Sequence, residues 1–213
     1  MNVLKENAIS NLEHPAPIRI VNPEPWQWEV LVEALWYDPG FRFFFGEHIS
    51  KERFLQFMEA AVRGTLESGG VVFASPDQNA VLVWRWYGAE LPENRKEQMY
   101  AALGKEGTER YLWFRETTDV PVREEDKINT MRPNYIGVLP DLQGRGYGSH
   151  LLRWTLDYFD RKGYRTPFLV ASTKRSAKLY GPLLGFKTHR EVVLGEQGKD
   201  AVVVMIRDDG HES

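Results

Sequence analysis

The chain has 213 residues, 42% hydrophobic and 27% charged, and its 27 basic and 30 acidic side chains leave a formal net charge of −3. That length suits one domain with a sizeable core, and the absence of a long run of either sign steers the chain neither to nucleic acid nor to an anionic membrane. The lack of cysteine excludes disulfides, thiolate metal sites and an acyl-cysteine intermediate, and it suits a reducing compartment.

The opening "MNVLKENAISNLEHPAP" has no apolar signal-peptide core, and no stretch approaches the roughly 18 apolar residues of a membrane span, so a cytoplasmic protein is expected. Residues 1–16 read as a loose lead into a single domain covering 1–213. "PIRIV" (17–21) is a short strand, and Trp26 to Trp36 places apolar residues at helical spacing. Asp38-Pro39-Gly40 breaks that helix and opens a phenylalanine-rich loop, "YDPGFRFFFGEH". Ser50 then caps a second helix with Phe54, Phe57, Met58, Ala61 and Val62 on one face.

"VVFAS" and "AVLVWRWYG", separated by "PDQN", form an antiparallel hairpin. Residues 88–127 are charged and weakly patterned, with helix formers at 93–103 and an aromatic "YLWF" at 111–114, and they read as a helical insertion. "NYIGVL" (134–139) is a strand, "DLQGRGYG" a glycine loop, and "SHLLRWTLDYFDRKG" an amphipathic helix. "PFLVA" is a further strand, "TKRSAKLYGPL" a short helix interrupted at Gly181-Pro182, and "AVVVMIR" (201–207) the last strand. Hairpins mixed with crossovers imply an α/β fold with a mixed sheet.

The glycine loop carries the first chemical signal. A strand, a turn and a helix start leave N–H groups without internal partners at the positive end of a helix dipole, where an anion is favoured. Gly144, Gly146 and Gly148 would let those amides approach a phosphate, with Arg145 at the rim; an ordinary tight turn is the plain alternative. A Walker loop is absent, and Gly144-x-Gly146-x-x-Ser149 lacks the last glycine of the dinucleotide fingerprint, with 64 residues left after Ser149.

Several segments agree in order and spacing with one family. "YIGVLP" followed by "QGRGYG" (143–148) resembles the fourth strand and the Gln/Arg-x-x-Gly-x-Gly/Ala loop of the GCN5-related N-acetyltransferase (GNAT) superfamily. "ASTKRSAKLYGPLLGF" resembles its fifth-strand exit and tyrosine helix, closing in Leu-Gly-Phe. The resemblance implies the GNAT fold: a mixed, mostly antiparallel sheet splayed between strands 4 and 5, flanked by helices. It implies acetyl-CoA as the donor, held by Val138, Leu139, Gln143, Gly144, Arg145, Gly146, Tyr147, Gly148 and Ser149, with Thr173 where relatives commonly have asparagine. Tyr180 stands at the position of the general acid, although one extra residue separates it from Phe186.

The implied activity is direct transfer of an acetyl group to a small amine or a peptide N-terminus, which needs proximity, a polarised carbonyl and proton transfer but no protein nucleophile. "NYIGVL" offers no acid as general base, and Glu124, Glu125 and Asp126 read either as a base or as a solvated face. Phe41, Phe44, Glu47, His48 and Trp84 are candidates for the acceptor site, with core packing as the alternative for the aromatics. The slight acidic excess favours a cationic acceptor. No histidine cluster suggests a metal, no nucleic acid or membrane partner is expected, and a homodimer stays open. A non-catalytic acyl-CoA-binding module of the same fold is the competing class.

Overall fold

A computed structural model describes residues 14–195 and 200–207. Most of the expected loose segment 1–16 lies outside the described residues. In chain order the elements are β1 (Ile18–Ile20), α1 (Pro25–Leu35), α2 (Pro39–Phe45), α3 (Lys51–Glu67), β2 (Val71–Ala74), β3 (Ala80–Trp86) and α4 (Glu93–Thr118). They continue as α5 (Glu124–Lys127), β4 (Met131–Val138), α6 (Tyr147–Asp160), β5 (Phe168–Ala171), α7 (Lys174–Leu184), β6 (Phe186–Leu194) and β7 (Asp200–Arg207).

The strands pair in two antiparallel groups, ordered β1-β2-β3-β4 and β5-β7-β6. Among the described residues the groups meet through one parallel bridge, Thr130 to Arg165, at the entry to β4. Past that point β4 and β5 run on without pairing, and a gap opens between them.

"VVFA" and "AVLVW" are continuous apolar runs because both faces of β2 and β3 are covered. Side chains alternate across a strand, so Val72, Ala74, Val81 and Val83 join one core with α1, α2, α3 and α4, while Val71, Phe73, Leu82 and Trp84 join another beneath α6. β4 carries a bulge: Val83 pairs with Tyr135 and Trp84 with Pro133, which leaves Asn134 as an extra residue. The bulge shifts the phase of the strand, so Met131 before it and Ile136 and Val138 after it face the same core.

The structure changes two of these readings, adds a strand and lengthens a helix. The Asp38-Pro39-Gly40 break starts a helix instead of a loop, because Asp38 Oδ1 accepts from the N–H groups of Gly40 (2.9 Å) and Phe41 (3.2 Å) and Pro39 occupies the first turn. Gly181-Pro182 does not interrupt α7, which runs to Leu184. "FKTHREVVL" forms β6, an edge strand whose mostly exposed polar residues hid its alternation. Residues 93–118 are a long helix kinked at Gly104, and its inner side, with Met99, Leu103 and Tyr111, belongs to the core shared with α1 and α3.

Candidate active site

The β4–β5 gap opens into a cleft with about 940 Å³ of empty space, part of it open to solvent. Phe41 and Phe44 of α2, Tyr111 and Phe114 of α4, Tyr135 of β4 and Phe168 of β5 give it aromatic walls. Phe41 and Phe44 point inward together because they are three residues apart on α2.

One end of the cleft holds Tyr180, Asp38 and Ser172. Asp38 is the one carboxyl group among the described lining residues. Burial holds it above the usual carboxylate range, against the lowering effect of its hydrogen bonds to Ser172 and to the first amides of α2. Burial, and then the nearby charge of Asp38, push the Tyr180 hydroxyl up to about 12. Tyr180 therefore keeps its proton throughout the neutral range.

Behind the cleft lies the glycine loop. Gly144 and Gly146 have φ of +80° and +92°, a left-handed backbone that a side chain would strain. Gly146 precedes α6, whose first internal bond runs from the His150 N–H to the Gly146 carbonyl at 2.8 Å. The amides of Tyr147, Gly148 and Ser149 consequently lack intrahelical acceptors at the positive end of the helix. A Cβ on Gly148 would lie 3.4 Å from Val138 Cγ2 and 3.8 Å from Ile136 Cδ1, and Ile136 also lines the cleft. Loop and cleft thus share one wall.

The other sequence candidates divide. Gln143 donates from Nε2 to the Val138 carbonyl (3.1 Å), tying the loop to the end of β4. The Leu139 N–H is already spent on the Asn79 carbonyl (2.9 Å), which leaves its side chain as its contribution. Arg145 is exposed, and its carbonyl lies 3.0 Å from His14 Nε2. The Tyr147 hydroxyl donates to Asp77 Oδ2 (2.6 Å), fixing the start of α6 to the β2–β3 turn. Thr173 caps α7, its hydroxyl accepting from the Ser176 N–H at 3.0 Å, so its oxygen has structural work where an asparagine was expected to reach the cofactor.

Three acceptor candidates are not in the cleft. Glu47 and His48 sit exposed on the turn Gly46–His48 beyond the end of α2, which carries them past the wall that Phe41 and Phe44 form. Trp84 is fully buried on the opposite face of the sheet, its ring 4.7 Å from that of Phe159, and is a core residue. Glu124, Glu125 and Asp126 lie on α5 outside the cleft lining; Asp126 pairs with Arg123 (2.8 Å) and Arg165 (2.7 Å), which hold its carboxyl below the usual range.

Sequence reasoning missed Asp38, Ser172, Arg115 and Arg132. Asp38 was legible as the residue before a Pro-Gly helix start. The others needed the fold, because they meet only across β4, β5 and α4. Among the described residues no group of three His, Asp or Glu side chains could hold a metal ion, and no helix is long and apolar enough to cross a membrane.

The sequence model of the Acetyltransferase (GNAT) family matches residues 120–186, the stretch that holds β4, the glycine loop, α6, β5 and α7. No curated protein matches the chain. Among solved structures, one from Corynebacterium glutamicum, described as histone acetyltransferase HPA2 and related acetyltransferase, superposes with a TM-score of 0.62 at 18% identity over 93% of this chain and 100% of that one. A Drosophila melanogaster polyamine N-acetyltransferase, described as forming N-acetylagmatine, gives 0.53 at 16% identity over 89% and 98%. A Salmonella typhimurium structure solved with its cofactor acetyl-CoA gives 0.50 at 14% identity over 93% and 98%. Identities this low speak to the fold, and the family motif speaks to the core. Residues 120–186 thus carry the sequence core of the GNAT acetyltransferase family, and nearly the whole chain takes up the fold of solved acetyltransferases of that superfamily.

Proposed function

We propose that the protein is an acetyl-CoA-dependent N-acetyltransferase acting on a small amine by direct transfer. The observation that carries this reading is the wall shared through Ile136 and Val138 between an anion-binding helix start and a cleft holding a protonated tyrosine. The residues present fit the donor: left-handed glycines at 144 and 146 and the unpartnered amides that follow would hold its pyrophosphate, and the backbone at Val138 would hold its thioester carbonyl. When bound, acetyl-CoA supplies the acetyl carbon, which exchanges its bond to sulfur for a bond to the acceptor nitrogen.

The chain's own groups manage the protons. Asp38, raised by burial, is the carboxyl group available to take the proton released by the amine. Tyr180 donates to the departing sulfur. Full proton transfer from a hydroxyl at about 12 to a thiolate of ordinary basicity, with a pKa of about 8.5, would be uphill by roughly 5 kcal/mol. Tyr180 therefore acts by a strong hydrogen bond to the developing thiolate, which takes its proton from solvent as it leaves the cleft. The apolar walls formed by Phe41, Phe44 and Tyr135 exclude water from the reacting atoms.

The test is thiol release from acetyl-CoA across a panel of amines. Turnover is expected with at least one class, and Tyr180→Phe should lower kcat by about 100-fold in a chemistry-limited assay. CoA should raise the melting temperature more than ATP or NAD does. Tight CoA binding without turnover of any amine would favour a binding module.

A further inference from the structure

The end of the cleft away from Tyr180 is lined by donors with no hydrogen-bond acceptor among the described residues. Arg132 opens β4, and its guanidinium lies 5.7 Å from the centre of the Phe168 ring. Arg115, on α4, lies 6.0 Å from the centre of the Tyr111 ring. Neither makes a hydrogen bond to a described residue, although an arginine carries five N–H donors. Between Arg132 and Ile136 the bulge residue Asn134 also lines the cleft, and its buried Nδ2 has no partner. A third arginine, Arg85, lies behind Arg115; it is 4% exposed, and its Nε is unsatisfied while Nη2 donates to the Ala89 carbonyl.

The acids nearby offset this charge only in part, because none of them accepts a hydrogen bond from Arg115 or Arg132. Asp119 Oδ1 stands 3.9 Å from Arg132 Nη1, beyond hydrogen-bond reach, and Asp119 Oδ2 accepts from the Tyr87 hydroxyl at 2.9 Å. Glu90 helps to hold the Arg115 guanidinium charged from a distance, and its own ion-pair contact is with Lys96 at 3.7 Å. Burial and the repulsion of Arg85 and Arg115 hold the Arg132 guanidinium below its ordinary range, which marks crowded positive charge. Buried donors left unpaired are costly, and a carboxylate matches the guanidinium fork with two parallel bonds.

We propose that Arg115, Arg132 and Asn134 form an anion subsite, and that the acceptor is an amine bearing a carboxylate. Its carboxylate sits among these donors and its amine faces the Tyr180 end. The inference rests on the acetyltransferase reading and narrows its substrate class. It runs against the slight acidic excess of the whole chain, because the local charge at the cleft is positive. A polyamine placed here would set a second ammonium against two guanidinium groups.

The experiment compares matched acceptors with and without a carboxylate: phenylalanine and phenethylamine, tryptophan and tryptamine, 5-aminopentanoate and butylamine. In thiol release by the wild-type full chain, the carboxylate member of at least one pair should show tenfold or greater kcat/KM. That ratio should fall towards unity in Arg132→Gln and Arg115→Gln, chiefly through KM. If the members lacking a carboxylate react equally well or better in every pair, the subsite is overturned while the enzyme reading stands; the wild-type comparison decides this even if a variant fails to fold. If no amine reacts, the enzyme reading fails, and the subsite is read from melting temperature in the presence of CoA. A larger rise with the carboxylate member of a pair supports it, and equal rises overturn it.

Discussion

Asp38 serves two ends that pull against each other. Its Oδ1 accepts the first amides of α2, which favours the charged form, yet burial dominates and lifts its pKa above 3.8. A carboxyl group raised in the folded state contributes stability that is fully present below its unfolded pKa and lost as pH rises through the folded one. At neutral pH its ionised form thus costs stability, and asparagine caps helices about as well. Asp38→Asn should therefore melt higher than the wild type at pH 7 and show no advantage below pH of about 4. Asp38→Asn also removes the proposed proton acceptor, so kcat should fall; because the Asp38 charge raises Tyr180, the alkaline limb of the turnover that remains should move to lower pH. An unmoved limb would mean that Tyr180 does not feel Asp38. Stability surrendered at a residue facing the reacting end is what a functional carboxyl group looks like.

Among the elements, the loop into α6 was the most legible from sequence, because its signal is local: a strand, glycines at fixed spacing and an amphipathic helix with Leu151, Leu152, Leu156 and Phe159 on its buried side. β2 and β3 were legible for a similar reason, their apolar runs being the direct imprint of two covered faces. β6 was not, since an edge strand needs little apolar alternation, and α2 was not, since a phenylalanine-rich helix seven residues long has no polar face to set a period. The cleft itself was half legible. Phe41, Phe44 and Tyr180, singled out in the sequence, line it, while the arginine end depends on a β-bulge that only strand pairing reveals.

The loop's glycines allow a controlled test at this scale. Gly146 and Gly163, at the two ends of α6, have φ of +92° and +77°, so alanine at either should cost about 1–2 kcal/mol of backbone strain. A Cβ at Gly163 meets nothing within 4 Å, whereas one at Gly146 would lie 3.2 Å from His14 Nε2, beside the amides proposed to hold the donor. Both variants should melt lower by similar amounts. Only Gly146→Ala should raise KM for acetyl-CoA, and equal KM values would remove the loop from the donor site.

At the scale of the molecule, the sheet separates two cores, and under the proposed function the donor and acceptor would approach the β4–β5 gap from different sides: the glycine loop precedes α6, and the aromatic walls come from α2 and α4. The segment 88–127 reads as an insertion because its pattern is weak, yet its helix α4 lines the cleft with Tyr111, Phe114 and Arg115. Met99, Leu103 and Tyr111 are 1%, 3% and 6% exposed. At about 1.5–3 kcal/mol for each buried side chain they carry roughly 5–9 kcal/mol, a large share of the roughly 5–15 kcal/mol that holds a typical domain together. Removing α4 would therefore unfold the protein, and a gentler change is needed to probe its role. Gly107 is where α4 meets α2: a Cβ there would lie 2.7 Å from the Phe44 backbone oxygen, so the helices would have to move apart. Gly107→Ala should lower stability by about 1–3 kcal/mol. By shifting Tyr111, Phe114 and Arg115 away from Phe44 it should also raise KM for the acceptor, while KM for acetyl-CoA, set across the sheet, stays as it was. A fall in melting temperature with both KM values unchanged would make α4 a scaffold and leave the acceptor wall to α2 and β4.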